Sequence, residues 1–293
     1  MKQAVIARFF DAVKPMRAAG RKKVRIGGNS DGAYVMLEPK RGGIAYSIGV
    51  GDVVRWDVEM SELGYQVFQY DGTLDSPPIV DHPLIKFHGY NIFAEKLKSN
   101  ERTLSEIINE NVHADEVGMI LQMDIETAEW ELFEKLDEHI LQQFEQILVE
   151  FHNISPKSKD FIQQIEVFEK LNKTHQVIHI HGNNLGDLHF VWRGGVRSIA
   201  CLSCIPASLE ITYVRRDDSI NFIPEDSFFP TELDRANNPR RPDMVLGYWG
   251  EYNDTLFAKE NLKKCKSYLF FLIRWILKPL LNLRHRKQKK FSR

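Results

Sequence analysis

Cysteine is scarce in this chain. Three in 293 residues, Cys201, Cys204 and Cys265, are too few and too odd in number for a disulfide framework. A reducing compartment is the expectation, and with no charged, apolar, small-residue leader opening the sequence the expected compartment is the cytoplasm. Glycine and proline are modest, 18 and 12, with no triplet period, which excludes collagen-like and low-complexity architectures. Long apolar runs are missing too. The most apolar segment, Tyr268–Leu283, is broken by Arg274 and Lys278 and is too short to cross a bilayer. Acidic residues stop at Glu260. From Asn261 to Arg293 there are 11 Lys and Arg and no acid, leaving 28 basic against 40 acidic residues before it. So acidic a body is excluded as a nucleic-acid binder, whereas the tail suits an anionic surface.

What is present is a globular composition, 43% hydrophobic and 27% charged, enough to bury a sizeable core. Lys2–Ala19 places Val5, Ile6, Phe9, Phe10, Val13 and Met16 at helical spacing, predicting an amphipathic lead-in helix. Val24–Met36 holds the glycine-rich turn Gly27-Gly28-Asn29-Ser30-Asp31-Gly32 between two β-prone runs, which reads as a hairpin. From residue 44 onward, short apolar runs alternate with helical stretches, the pattern of βαβ units around a buried sheet. Strands are expected at Ile44–Ile48, Gln66–Tyr70, Leu84–Phe87, Met119–Met123, Gln146–Phe151, Gln176–His181 and Leu209–Val214. Helices are expected at Val53–Leu63, Thr103–Asn111, Ala128–Leu136 and Lys157–Asn172. Beyond Val214 the sequence is irregular and proline-rich, which predicts a loop packed on the domain.

The chemistry concentrates where strands end. Tyr46-Ser47-Ile48-Gly49-Val50-Gly51-Asp52 runs from a strand through a glycine turn into a helix, so backbone can approach a ligand closely and the helix N-terminus favours an anion. Asp71, followed by Gly72, ends the next strand at the spacing where a carboxylate takes the hydroxyls of a ribose. Together they indicate an adenosine-containing cofactor. A dinucleotide fingerprint is incomplete, because Val54 stands where its third glycine belongs. The fourth strand runs into Asp124-Ile125-Glu126-Thr127-Ala128-Glu129-Trp130, and the fifth into Glu150-Phe151-His152, both at the carboxyl edge where open α/β sheets bind ligands.

On these residues the chain resembles the class I S-adenosylmethionine-dependent methyltransferases, and among them the FkbM-like group, over about residues 24 to 215. The resemblance implies a doubly wound, mostly parallel, seven-stranded Rossmann-like α/β sheet. It also implies S-adenosyl-L-methionine as cofactor, with Gly49, Gly51, Asp52, Asp71, Gly72 and, from the glycine-rich lead-in, Asp31 as its contacts. Asp124 would lie near the sulfonium and the acceptor. Three positions depart from the family pattern: Ser47 where many members carry an acid, Val53 in place of a third glycine, and Thr127 in place of a glycine.

Methyl transfer to oxygen needs an in-line acceptor and a group that removes a proton. The candidates at strand ends are Asp124, His152 and His181 as catalytic groups, with Asp124, Glu150 and His181 as ligands for a divalent metal ion. Carboxylates alone suit Mg or Mn, and carboxylates mixed with imidazole suit a transition metal. Glu129 reads as helix surface, and Glu210 and Tyr213 as possible walls of an acceptor site. Cys201 and Cys204 form one pair with no second, so they read as thiols ahead of a strand.

Three segments follow: residues 1–40 as helix and glycine-rich lead-in, 41–260 as the methyltransferase domain with its acceptor loops, and 261–293 as a basic amphipathic tail. In the tail Arg274, Lys278 and Asn282 share one helical face and Leu269, Ile273, Ile276 and Leu280 another, a pattern that lies in the plane of an anionic membrane. The expected partners are a hydroxylated sugar or glycan and that membrane, with no nucleic acid; a homo-oligomer is an admissible assembly. Two competing functions stay open on the residues alone: a nucleotide-dependent oxidoreductase or sugar-modifying enzyme, and a catalytically inactive methyltransferase-fold module docked at the membrane.

Overall fold

The computed structural model describes residues 3–192 and 202–249. All seven expected strands form, and they form one sheet. They are β1 (Gly43–Ile48), β2 (Tyr65–Tyr70), β3 (Ile85–His88), β4 (Met119–Met123), β5 (Phe144–Phe151), β6 (His175–Gly182) and β7 (Leu209–Arg215). Their order across the sheet is β6-β7-β5-β4-β1-β2-β3. Neighbours from β5 to β3 run parallel, while β7 is antiparallel to both β5 and β6. Chain order reverses at β1, which places a ligand crevice beyond the carboxyl ends of β1 and β4.

Side chains on each strand alternate between two unlike faces. One face is apolar throughout: Tyr46, Phe68, Leu121, Met123, Val149 and Phe151 belong to the large core with α1 (Gln3–Ala12), α3 (Leu104–Glu110), α4 (Glu129–Lys135), α5 (Glu138–Leu141) and α6 (Phe161–Thr174). The opposite face begins apolar, with Ala45, Val67, Ile120 and Leu148 packed against Trp56 and Met60 of α2 (Arg55–Glu62) and against Ile26, Tyr34 and Met36. Toward the carboxyl ends that face turns polar. Ser47, Gln69, Gln122, Glu150, Glu210 and Thr212 are all buried there. Burying such groups is costly unless they are paired, and hydrogen bonds join Ser47 to Gln122, Glu150 to Asn183 and Ser208, Glu210 to His181, and Thr212 to the Val35 carbonyl.

The glycine-rich lead-in is the expected hairpin, Lys23–Ile26 against Tyr34–Leu37, lying over the polar face. Gln146 of β5 clamps it through both backbone atoms of Leu37, and the Thr212 hydroxyl donates to the Val35 carbonyl. The lead-in helix is shorter than its periodicity suggests. It stops at Ala12, and Met16–Ala18 becomes a strand paired with Phe222–Pro224. Pro15 is the cause, since its ring and missing N–H end a helix and push Lys14 toward extended geometry. The proline-rich segment after β7 is packed on the body as expected: Trp249 wedges against Phe9 and Phe10, at ring separations of 6.2 and 4.8 Å. Cys204 lies inside the strand Leu202–Pro206 and its thiol donates to the Val245 carbonyl; Cys201, Cys265 and the whole basic tail lie outside the described residues.

Candidate active site

A cavity of about 640 Å³ opens at the carboxyl ends of β1, β2 and β4. Its walls include Asp31, Gly49, Gly51, Asp52, Asp57, Asp71, Asp124 and Glu126, so the glycine turn, the ribose-type acid and the fourth-strand acid meet in one space. Asp71 is buried, with Oδ2 accepting from the Gly51 N–H at 3.0 Å and Oδ1 from the Thr73 N–H and hydroxyl at 2.8 and 2.6 Å. Burial works against its charge, but the Thr73 hydroxyl and the backbone N–H groups of Gly51, Thr73 and Val50 outweigh it and hold the carboxyl below its ordinary value. Asp71 is thus a fixed anion at the cavity edge.

The glycines of this site serve different ends. Gly51 has φ +54 and open space where a Cβ would lie, leaving a cradle for a ligand against bare backbone. At Gly49 a Cβ would fall 1.7 Å from the Asp124 carbonyl oxygen, so that position is glycine because β4 passes there, not because a cofactor does. Gly72 packs on Asn91, where a Cβ would come within 2.6 Å of the side chain, and its N–H donates to Asn91 Oδ1. Asp52 is exposed at the mouth. Asp31 lines the cavity from the hairpin, with Oδ1 accepting from Asn237 Nδ2 at 2.7 Å.

Two departures from the family pattern have local explanations. Ser47 donates to Gln122, and a carboxyl reaches the same place from α2: Asp57, 3% exposed, lines the cavity with an Oδ1 that has no hydrogen-bond partner. Burial pushes Asp57 up to about 6, against its contacts with Gln69 and Ser47. Thr127 adopts φ +90, a conformation natural to the glycine it replaces and strained for a β-branched residue.

Beyond the cavity, a row of titratable groups crosses the sheet. His181 of β6, Glu210 of β7 and Glu150 of β5 are in register, and Asp124 follows the end of β4. His181 is not available for the role expected of it. Its Nδ1 meets Glu210 Oε2 at 2.8 Å and its Nε2 meets Asp243 Oδ1 at 3.0 Å, so neither nitrogen is left for a ligand or a substrate proton. Burial opposes its charge, but Glu210 and Asp243 raise its pKa well above the ordinary value. The imidazole that joins Asp124 and Glu150 is His152, with Nε2 at 3.5 Å from each. On its other side Nδ1 meets Glu129 Oε1 at 3.2 Å, and the His152 N–H donates to that same oxygen at 2.7 Å. Glu129 is therefore no surface residue: it is wholly buried.

This cluster sets its own charges. Burial disfavours a charged His152, but Glu129, Glu150 and Asp124 more than compensate and raise it to about 9. Burial lifts Asp124 to about 7 and Glu150 to about 8. Glu150 also accepts from Asn183 and from the Ser208 hydroxyl. A protonated His152 cannot take a proton, so among the expected catalytic groups Asp124 is the one free to do so. Sequence reasoning missed Asp57, Glu129 and Asn237, whose partners lie on other elements.

Sheet order, the antiparallel β7, the glycine turn and the acids after β2 and β4 together define a class I methyltransferase domain. The chain belongs to the Methyltransferase domain family, which matches residues 3–189. Over 118 residues it is 32% identical to the human probable methyltransferase-like protein 24 and 31% identical to its rat counterpart. That stretch is 36% of this chain and 32% of each relative, so the match spans about a third of those proteins. Among solved structures, a putative methyltransferase from an antibiotic biosynthesis pathway of Anabaena variabilis aligns with TM-score 0.28 and 15% identity, covering 53% of this chain and 61% of that one. Spermidine synthase from Thermotoga maritima aligns with TM-score 0.31 and 10% identity, covering 83% and 81%.

Proposed function

We propose that the chain is an S-adenosyl-L-methionine-dependent O-methyltransferase whose acceptor is a hydroxyl of a sugar, glycan or lipid-linked saccharide at the cytoplasmic face of a membrane. The carrying observation is that Gly51, Asp71, Asp57 and Asp124 line one cavity. The residues fit the cofactor: the empty space over Gly51 admits it, Asp71 sets a fixed negative charge at the cavity edge for the ribose hydroxyls, and the orphaned Asp57 oxygen suits an ammonium group. When bound, S-adenosyl-L-methionine supplies a methyl on a positive sulfur, which departs as a neutral thioether once an oxygen takes that methyl. Asp124 then receives the acceptor's proton. Its Oδ1 faces His152, and the rest of the side chain, 29% exposed, faces the cavity. His152, held by Glu129, keeps that carboxylate oriented. Likeness to the FkbM-like group, carried by the Met123–Trp130 block, supports a sugar-type acceptor, and the basic tail supports the membrane location.

Calorimetric titration with S-adenosylhomocysteine tests the reading. Asp71→Ala is expected to weaken binding by about tenfold or more through loss of charged hydrogen bonds. Asp124→Asn is expected to keep that affinity while turnover on the accepted hydroxyl falls by about 10²-fold or more. No binding of S-adenosylhomocysteine by the folded protein would refute the proposal, and binding with no turnover across hydroxylated acceptors would favour the docked binding module.

A further inference from the structure

We propose that Asp124, Glu150 and His152 form a binding site for one divalent first-row transition ion at the Asp124 wall of the cavity. The three side chains bring one ligand atom each to within 4.8 Å of one another. The Nε2 distances of 3.5 Å to Asp124 Oδ1 and to Glu150 Oε1 are close to the spacing of ligands that share one ion at about 2.1 Å, roughly 3.0–3.4 Å apart. The imidazole is aimed from behind. Glu129 is completely buried, takes Nδ1 and the His152 backbone N–H on one oxygen, and so directs Nε2 at the two carboxylates, where a metal ion would replace the Nε2 proton. A buried carboxylate on the far nitrogen is the usual support of a metal-binding histidine. A second observation concerns Asp124 itself: its Oδ1, the atom turned to Nε2, is sealed from solvent and has no hydrogen-bond donor. Such an atom wants a cation.

The neighbouring acids show the contrast. Asp31, Glu150 and Glu210 also converge, but there no imidazole takes part and the Asn237 amide bridges Asp31 and Glu210; in the proposed site Glu150 Oε1 is held by Asn183 and Ser208, with which the ion would share it. A mixed imidazole and carboxylate set suits Mn²⁺ or Zn²⁺ better than Mg²⁺. Three protein ligands leave positions open toward the cavity, where an acceptor hydroxyl would be drawn close to the methyl donor. The second oxygen of Asp124 stays available for the proton. This site deepens the methyl-transfer reading but is measurable without it.

The experiment uses the full chain stripped with a chelator and titrated with Mn²⁺ by electron paramagnetic resonance and with Zn²⁺ by calorimetry, alongside S-adenosylhomocysteine. One ion per chain is expected. Glu150→Gln and His152→Ala should each weaken it by at least about tenfold, and Glu129→Gln, a positioning change, by about 10–100-fold. Should His152→Ala fail to fold by circular dichroism, the near-isosteric Asp124→Asn carries the same expectation. No saturable binding of either ion by the folded chain, or binding unchanged in the variants, overturns the site. If S-adenosylhomocysteine still binds in that case, only the ion is lost and the methyltransferase reading stands.

Discussion

Gly49 and Gly51, two positions apart in one turn, answer to different demands, and substitution separates them. Gly49→Ala drives a methyl into the Asp124 carbonyl and should cost about 3 kcal/mol or more, read as lost chemical-denaturation stability. Gly51→Ala meets no atom within 4 Å, so it should cost only about 1 kcal/mol while weakening S-adenosylhomocysteine binding in calorimetry. Thr127→Gly should do the reverse of Gly49→Ala. Relief of its φ of +90 is expected to stabilise the protein by about 1 kcal/mol, checked by a higher denaturation midpoint. Asp71 and Asp124 were legible in the sequence because each directly follows a buried strand. Glu129 and Asp57 were not, since what makes them special is a partner supplied by another part of the chain, His152 in one case and the Ser47 and Gln69 pair in the other.

At the scale of elements, the seven strands could be read from short apolar runs because both faces of most of them are covered. Order across the sheet could not, since pairing is non-local; the class resemblance carried only a doubly wound, mostly parallel sheet of seven strands. Amphipathic period overextended α1, because six apolar residues at helical spacing say nothing of how Pro15 ends the turn. The junction of α6 and β6 offers a test of electrostatics free of the cavity. His175 is fully buried, touches the Thr174 hydroxyl and the Phe144 carbonyl, and is pushed down to about 4 by burial. Its folded form is neutral, so it contributes stability above the unfolded value of about 6.5, and that contribution is lost as pH falls toward 4. The loss is about 3 kcal/mol at most, from a difference of about 2.5 pK units. Stability measured from pH 7 to 4 should therefore fall more steeply in the native chain than in His175→Gln.

Across the whole molecule, the segment after β7 is strapped down by its carboxylates. Glu225 pairs with Lys23 at 2.8 Å, Asp234 with His179 at 2.7 Å and Asp243 with His181 at 3.0 Å. The basic tail beyond it is expected to act separately from this body. A chain ending at residue 260 should keep its S-adenosylhomocysteine affinity and lose sedimentation with phosphatidylserine vesicles, and retained sedimentation would assign the lipid contact to the body. Beneath the cavity the strand tips are stapled together. The Asp124 N–H donates to the Ile48 carbonyl at 2.8 Å, the Gly49 N–H donates to Tyr70 at 2.9 Å, and the Asp124 carbonyl occupies the space beside Gly49. The floor therefore has no hinge. At the cavity's edge the hairpin tip is moored to the strap, since Asp31, which lines the cavity, accepts from the Asn237 amide at 2.7 Å, and Asp31→Ala should release that mooring.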